Sequence, residues 1–373
     1  NPEVPSELIK QLQATRYNNI LSGLAPVRAL GGAAIGLAGK PFTVMVGSKL
    51  TGDSAAFKRA AYTYGGITEN FGRAMQVMRQ EWNNAVTNPS GLGKRGVRAD
   101  QDIARLLQED ETMDLMAEAW EKNGEWGKAM FWQMTKNLSR FNNNPVVRFG
   151  INSMYSIDGF VKSMTASANA RSLAYDELFS ASKGAIDEKS FNALQRKLYE
   201  GSFDNAGILK DDAALYAAGE INLNLDNNLV SGLESMAKNF PIIKSIMMFP
   251  RTGMNSVQLM TTFNPTGVLG LSVGKARRVM KAKSPDAIEA VLVEHGLGGK
   301  GMPAFNALKA EYKGREAMGA SVTMGAALLA FNGGLSGSGP QDAGEKRRMQ
   351  QMGWKPYSIK NPITGEWHSY QGL

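Results

Sequence analysis

Apolar side chains recur at threes and fours along most of the chain, the spacing that gathers them on one face of an α-helix. From Ser6 to Leu24 they fall at Leu8, Ile9, Leu12, Ile20, Leu21 and Leu24, which predicts an amphipathic helix interrupted by Pro26. A Gly/Ala run from Leu30 to Gly39 follows, with Lys40-Pro41 as its expected stop. So bounded, the run is too short and too rich in glycine for a membrane span of about 20 apolar residues. Asp53 or Ser54 can cap a long helix to about Val86, with Phe57, Ala61, Tyr64, Phe71, Met75, Met78 and Trp82 as its stripe.

Turn residues from Thr87 to Gly96 predict a connector; its Gly-Leu-Gly-Lys-Arg stretch lacks the spacing of a phosphate loop, and no strand precedes it. Asp100 to Asn142 predicts two or three helices interrupted at Gly124 and Gly127. This stretch carries Trp120, Trp126, Phe131 and Trp132, whose spacing favours core or interface anchors over base-stacking platforms. Asn142-Asn143-Asn144-Pro145 predicts a turn, and a helix can run from Pro145 to about Ser182, a length that implies an elongated shape. Asp187 starts a short helix to Tyr199, and Asp211-Asp212 precede an alanine-rich turn of helix at Ala213 to Ala218. Adjacent carboxylates point to different sides of a helix, so these acids read as helix N-terminal charge and not as an acid/base pair.

Asn228 to Asn239 is amphipathic, and the uncharged, Gly/Met-rich stretch from Gly253 to Gly274 suits a protein interface or a membrane contact. Ser284-Pro285-Asp286 begins another helix, Gly296 to Gly301 is a loop, and Pro303 leads a helix that turns apolar from Ala317 to Phe331. Asn332 to Pro340 predicts a flexible linker, and Tyr357 to Lys360 with Glu366 to Tyr370 predicts a β-hairpin around Asn361 to Gly365. The pattern predicts an all-α, elongated multi-helix bundle with long helices and a small C-terminal β-hairpin. It divides into a helical region 1–141, a helical body 142–335, and a linker with hairpin tail 336–373.

Composition narrows the chemistry. With 373 residues, 43% hydrophobic and 20% charged, the chain can bury sizeable cores. The lack of cysteine removes disulfides, thiolate zinc sites and thiol nucleophiles. His295 and His368 have no second histidine at ligand spacing, and no constellation of serine, lysine or glutamate has a motif's spacing. No catalytic, cofactor or metal residue is therefore expected.

The net charge of +8 favours DNA, acidic proteins or anionic lipid as partners. The local basic clusters offer Arg277, Arg278, Lys281, Lys346, Arg347 and Arg348 as DNA-contact candidates, against their reading as solvated helix faces. The 41 glycines often sit inside apolar runs, where each costs a helix about 1 kcal/mol against alanine, so close helix contact or lipid should offset them. Gly32, Gly36, Gly319 and Gly325 are interface candidates on this ground, with Trp120, Trp126, Trp132, Trp354, Tyr357, Trp367 and Tyr370 as aromatic anchors.

Gly337-Ser338-Gly339-Pro340, Lys346-Arg347-Arg348, Gly353 to Lys360 and Gly365 to Tyr370 follow one another in an order that resembles the ending of a domain of large phage polyvalent proteins and of internal virion, or ejection, proteins. Its helical body is similar to Asn144 to Arg148, Asp158 to Lys162, and Phe249 to Thr252 with Asn255. The resemblance covers Asn142 to Leu373 and implies a virion component near the portal that passes into the host envelope with the genome. It implies homo-oligomers, sister ejection proteins or the portal as partners, non-specific DNA and host-membrane contact, and no catalytic residues. A non-catalytic region of a giant virion enzyme, an RNA polymerase or lytic transglycosylase, is the alternative. The chain opens at Asn1-Pro2 and stops at Leu373, where the family's hairpin runs on into an acidic turn, so a segment or processed product is expected.

Overall fold

Helix starts follow acceptors that the sequence supplies just ahead of them. In a computed structural model describing residues 4–87, 110–182, 186–225, 250–264 and 273–370, Asp53 accepts from Ala56 N, Asp187 from Ser190 N, Asp211 from Ala214 N and Ser284 from Ala287 N. Each bond satisfies a donor that the first helical turn leaves free, and is worth about 1 kcal/mol. The acids at Asp187 and Asp211 are thus caps, as their position ahead of helices predicts.

Among the described residues the chain forms fourteen helices and one small sheet. The first half holds α1 (Val4–Ile20), α2 (Ala25–Thr51), α3 (Ser54–Glu69), α4 (Phe71–Thr87), α5 (Asp110–Lys122), α6 (Trp126–Asn143) and α7 (Phe149–Ser182). Next come α8 (Glu188–Gly201), α9 (Asp212–Ile221), α10 (Pro250–Thr262), α11 (Val273–Lys281), α12 (Pro285–Glu294), α13 (Gly301–Phe331) and α14 (Ala343–Gln351). Strands β1 (Ser358–Lys360) and β2 (Trp367–Ser369) pair antiparallel, with Ser358 opposite Ser369 and Lys360 opposite Trp367. The fold is all-α with a C-terminal hairpin.

Helix α7 packs against α2, α3 and α4 and also against α8 and α9, while α13 lies along α2 and the α11–α12 pair. Apolar side chains gather in several clusters and not in one centre. Ile157, Phe160, Val161 and Met164 of α7 meet Ala33 and Leu37 of α2 and Ala74 of α4. Phe305, Leu308 and Tyr312 of α13 meet Val279, Val291 and Leu292. Met113, Ala117 and Trp132 join α5 to α6.

Four expectations are corrected. Pro41 does not stop a helix: α2 runs from Ala25 through it to Thr51, and Pro26 opens that helix instead of breaking its predecessor. Proline inside a helix costs about 3 kcal/mol, and here the buried contact of α2 with α13 outweighs that cost. The long helix from Asp53 breaks at Asn70, whose Nδ2 donates to Ser167 Oγ of α7 at 2.5 Å. Asn142 lies within α6, and residues 145–148 form a turn, so the long helix starts at Phe149 instead of Pro145. Asn142 is fully buried there, donating to Gln11 O at 2.9 Å and accepting from Thr15 Oγ1 at 3.0 Å, which ties α6 to α1.

The fourth correction concerns the stretch expected as flexible reach. Leu335 bridges Ile359, Ser336 N donates to Ser358 O at 2.9 Å, Lys360 N to Gly334 O at 2.8 Å, and Tyr357 N to Gly337 O at 3.0 Å. Residues 334–337 thus line the hairpin as a third extended segment. Ser336 Oγ donates to Lys355 O at 2.6 Å and accepts from Ser358 N at 2.9 Å, while Tyr370 OH donates to Ser336 O at 2.8 Å. A lone two-stranded hairpin is marginal in water, and this lacing supplies what it lacks. Residues 88–96 of the expected connector, and the helix expected at 228–239, lie outside the described residues.

Candidate functional site

Glycine sets the geometry from which the most polar part of the interior follows. Gly47 of α2 and Gly314 of α13 sit at a crossing so close that a Cβ at Gly47 would overlap the Ala310 carbonyl, and one at Gly314 the Thr43 carbonyl. Two turns before Gly47 on α2 and within one turn of Gly314 on α13, Lys40 and the pair Glu311 and Arg315 come within ion-pair reach, and α9 adds Glu220.

The four side chains form a closed set of two cations and two anions. Arg315 straddles Glu220 with two parallel bonds of 2.8 Å, Nη1 to Oε1 and Nη2 to Oε2, and Nη2 also pairs with Glu311 Oε1. Lys40 Nζ reaches Glu220 Oε2 at 2.5 Å and Glu311 Oε1 at 3.0 Å. Thr262 of α10 accepts from Arg315 Nη1 at 3.3 Å. The Arg315 side chain is 4% exposed and Glu311 8%, so water screens these charges little. Burial raises the Glu220 carboxyl, but Arg315 and Lys40 outweigh it and hold the group well below the carboxylate range. Burial likewise opposes the Lys40 ammonium, and Glu220 with Glu311 overcomes it to raise its pKa. Lys40, Glu220 and Arg315 therefore stay charged at neutral pH.

Beside this set, His295 closes α12. Its Nδ1 lies 2.7 Å from Val291 O and its Nε2 3.0 Å from Tyr312 OH, which fits an Nδ1–H donor and an Nε2 acceptor. Burial lowers the His295 pKa and raises those of Tyr216 and Tyr312, so all three are neutral at pH 7. A cavity of about 120 Å³ touches Lys40, Tyr216, His295 and Glu311 and is otherwise walled mainly by aliphatic side chains. Both carboxylates are held by cations and both ring nitrogens are bonded, so the cluster's chemistry is cohesion: it locks α2, α9, α10 and α13 together.

The sequence-derived candidates scatter. Gly36 packs on Ile221, where a Cβ would come within 3.0 Å of Cγ2, and a Cβ at Gly319 would overlap the Phe263 carbonyl. These two glycines are therefore consumed inside the chain, whereas Gly32 and Gly325 face open space. Trp132 is 1% exposed at the α5–α6 contact, Trp120 is half-buried under Lys128 Nζ at 4.1 Å, and Trp126 is 67% exposed. Trp354 lies on Gly339 and Trp367 is half-buried on β2, while Tyr357 meets Tyr370 edge-on at 6.5 Å.

Arg277, Arg278 and Lys281 lie exposed on α11, where Arg278 pairs with Glu294 at 2.7 Å. Arg347 and Arg348 are exposed on α14, with Lys346 partly covered. In the sequence Lys40 stands out only as part of a helix stop, and for Glu220, Glu311 and Arg315 the one local signal is the i, i+4 spacing of Glu311 and Arg315. The chain was compared with protein-family models, curated proteins and solved structures, and none matches it.

Proposed function

We propose that the chain is a non-catalytic structural component of a phage particle, an ejection or internal core protein. It assembles with copies of itself and with sister ejection proteins around the DNA exit path, and helps pass the genome across the host envelope. The observation that carries the assembly reading is the bare second half of α13. Val322 is 72% exposed, Met324 64%, Leu328 56% and Phe331 91%, although the same helix buries one face from Ala304 to Arg315. On a soluble monomer a contiguous apolar surface of this kind marks an interaction site.

Helix α2 adds a second such surface, with Val27 and Ile35 exposed, and it is long and apolar enough to cross a membrane. These surfaces fit neighbouring helices in an assembly, and the acyl-chain boundary of a bilayer once the protein leaves the particle. The virion assignment itself rests on the resemblance read in the sequence motifs between Asn142 and Leu373, and the basic excess suits a wall that holds DNA without reading it.

Two measurements test this reading. Mass spectrometry of purified phage particles should find the chain's peptides in the virion. Sedimentation velocity at micromolar concentration should give an oligomer that Leu328→Ser with Phe331→Ser dissociates. A monomer that ignores both sister proteins and anionic vesicles would overturn it.

A further inference from the structure

Outside the charge cluster, cationic side chains converge at one more place. An open groove of about 770 Å³ runs along α8, between that helix and the corner where α3 meets α4. Arg171 of α7 forms part of its wall. The guanidinium lies 4.9 Å over the Phe191 ring, and Nη1 pairs with Glu69 Oε2. Gly65 leaves it room, because a Cβ there would come within 2.7 Å of Nε. Arg73 of α4 lies 5.1 Å over the Tyr199 ring, and Arg196 lines the same groove from α8.

Three features give this groove a ligand class. Phe191 and Tyr199 are eight residues apart on α8, which at 1.5 Å per residue spaces the two stacked guanidinium groups about 12 Å along the groove. Arg196 falls between those two positions in sequence. Secondly, Arg73 and Arg196 are exposed and pair with no carboxylate among the described residues. Of the two acids in the groove, Glu69 is engaged by Arg171, and Glu188 sits in the first turn of α8, where the helix dipole favours it. Thirdly, all three cations are arginines, whose planar forks match phosphate oxygens two at a time. A single small anion cannot span about 12 Å, but a chain of oxyanions can.

We propose that this groove binds a run of linked phosphates, as carried by single-stranded nucleic acid or by free polyphosphate, through Arg73, Arg171 and Arg196. The assignment does not depend on the virion reading, since a polyanion groove would operate in any helical protein. The basic faces of α11 and α14 offer similar charge, but each on a single helix.

Fluorescence anisotropy of the full chain with a labelled single-stranded oligodeoxynucleotide, competed by inorganic tripolyphosphate, tests the proposal. Arg73→Gln with Arg196→Gln should weaken binding by about tenfold or more and reduce the salt slope by about 1.4, the loss expected for two phosphate contacts on a single strand. Lys346→Gln with Arg347→Gln and Arg348→Gln removes more charge from α14 and should cost less than about twofold. Tripolyphosphate that binds and displaces the oligonucleotide supports the phosphate assignment. Tripolyphosphate binding without oligonucleotide binding supports it too, with free polyphosphate as the source. Equal losses in the two charge variants, an oligonucleotide that tripolyphosphate cannot displace, or no binding of either probe would overturn it. The substituted residues are exposed except for the partly covered Lys346, and an unchanged circular dichroism spectrum checks that the variants fold.

Discussion

Gly47 and Gly314 meet backbone to backbone where α2 crosses α13, and a side chain on either would occupy space already held by the other helix's carbonyl groups. Two helices that bring their backbones this near also bring their long polar side chains into mutual reach, which is how Lys40 comes upon Glu311.

Gly314→Ala should therefore destabilise the fold by about 1–3 kcal/mol or more, the cost of overpacking an interior that cannot give. Gly325→Ala, in the same helix but facing open space, should stabilise it by about 1 kcal/mol through helix propensity alone. Urea denaturation of the pair checks both signs. Equal effects from the two substitutions would contradict the crossing.

Arg315→Met leaves Glu220 and Glu311 buried with only Lys40 to answer them. Removing one partner from a buried ionic set costs about 3–5 kcal/mol. The loss should be smaller when Glu311→Gln is present as well, because one stranded charge disappears with its cation. A double-mutant cycle in chemical denaturation measures this coupling, and simple additivity would argue against a shared cluster.

Acid should weaken the fold in two stages. Burial holds His295 below its ordinary 6.5, so the unfolded chain takes that proton first. The His295 contribution is complete above pH 6.5 and is lost as pH falls through its lower folded pKa. Glu220 has the same sign further down: its contribution is present above 4.5 and is lost as pH falls below that value. Denaturation midpoints should drop as pH falls from about 7 through 6.5, and His295→Phe should remove most of that slope. A wild-type midpoint that stayed flat over this window would count against a buried neutral His295.

Ser336→Pro removes the N–H that donates to Ser358 O and should loosen the C-terminal hairpin without melting the helices. Trypsin should then cut sooner at Arg347, Arg348 or Lys360, while helical circular dichroism stays unchanged. Tyr370→Phe, which loses only the bond to Ser336 O, should have a milder effect of about 1 kcal/mol or less on the same segment.

What could be read from the sequence was local. Asp53, Asp187, Asp211 and Ser284 announce their helices because a cap needs only the next three residues. Pro41 misled for the complementary reason: its local penalty is real, but contacts with a helix some 270 positions later, as between Lys40 and Glu311, outweigh it. Asn142 looks like a turn residue until Gln11 and Thr15, more than 120 positions earlier, are placed beside it. The charge cluster was hidden likewise, since Lys40 and Glu220 are 180 residues apart and each alone reads as a solvated charge. Glycine was recognised as meaningful, but not which glycines are spent within the chain.

Helix α13 is one unbroken rod, and only its first half is embedded. Arg315 lies sixteen residues before Phe331, so the free end stands about 24 Å beyond the ionic cluster. At that end Leu329 O accepts from Gly334 N, which joins the rod to the laced hairpin. Anything that grips the hairpin thereby acts on Arg315 with a lever arm of that length. A sideways pull too weak to break a hydrogen bond directly becomes a prying torque on the bonds between Arg315 and Glu220. The bare half of the helix is then a mechanical handle as well as a sticky face, and neighbours that cover it also brace it.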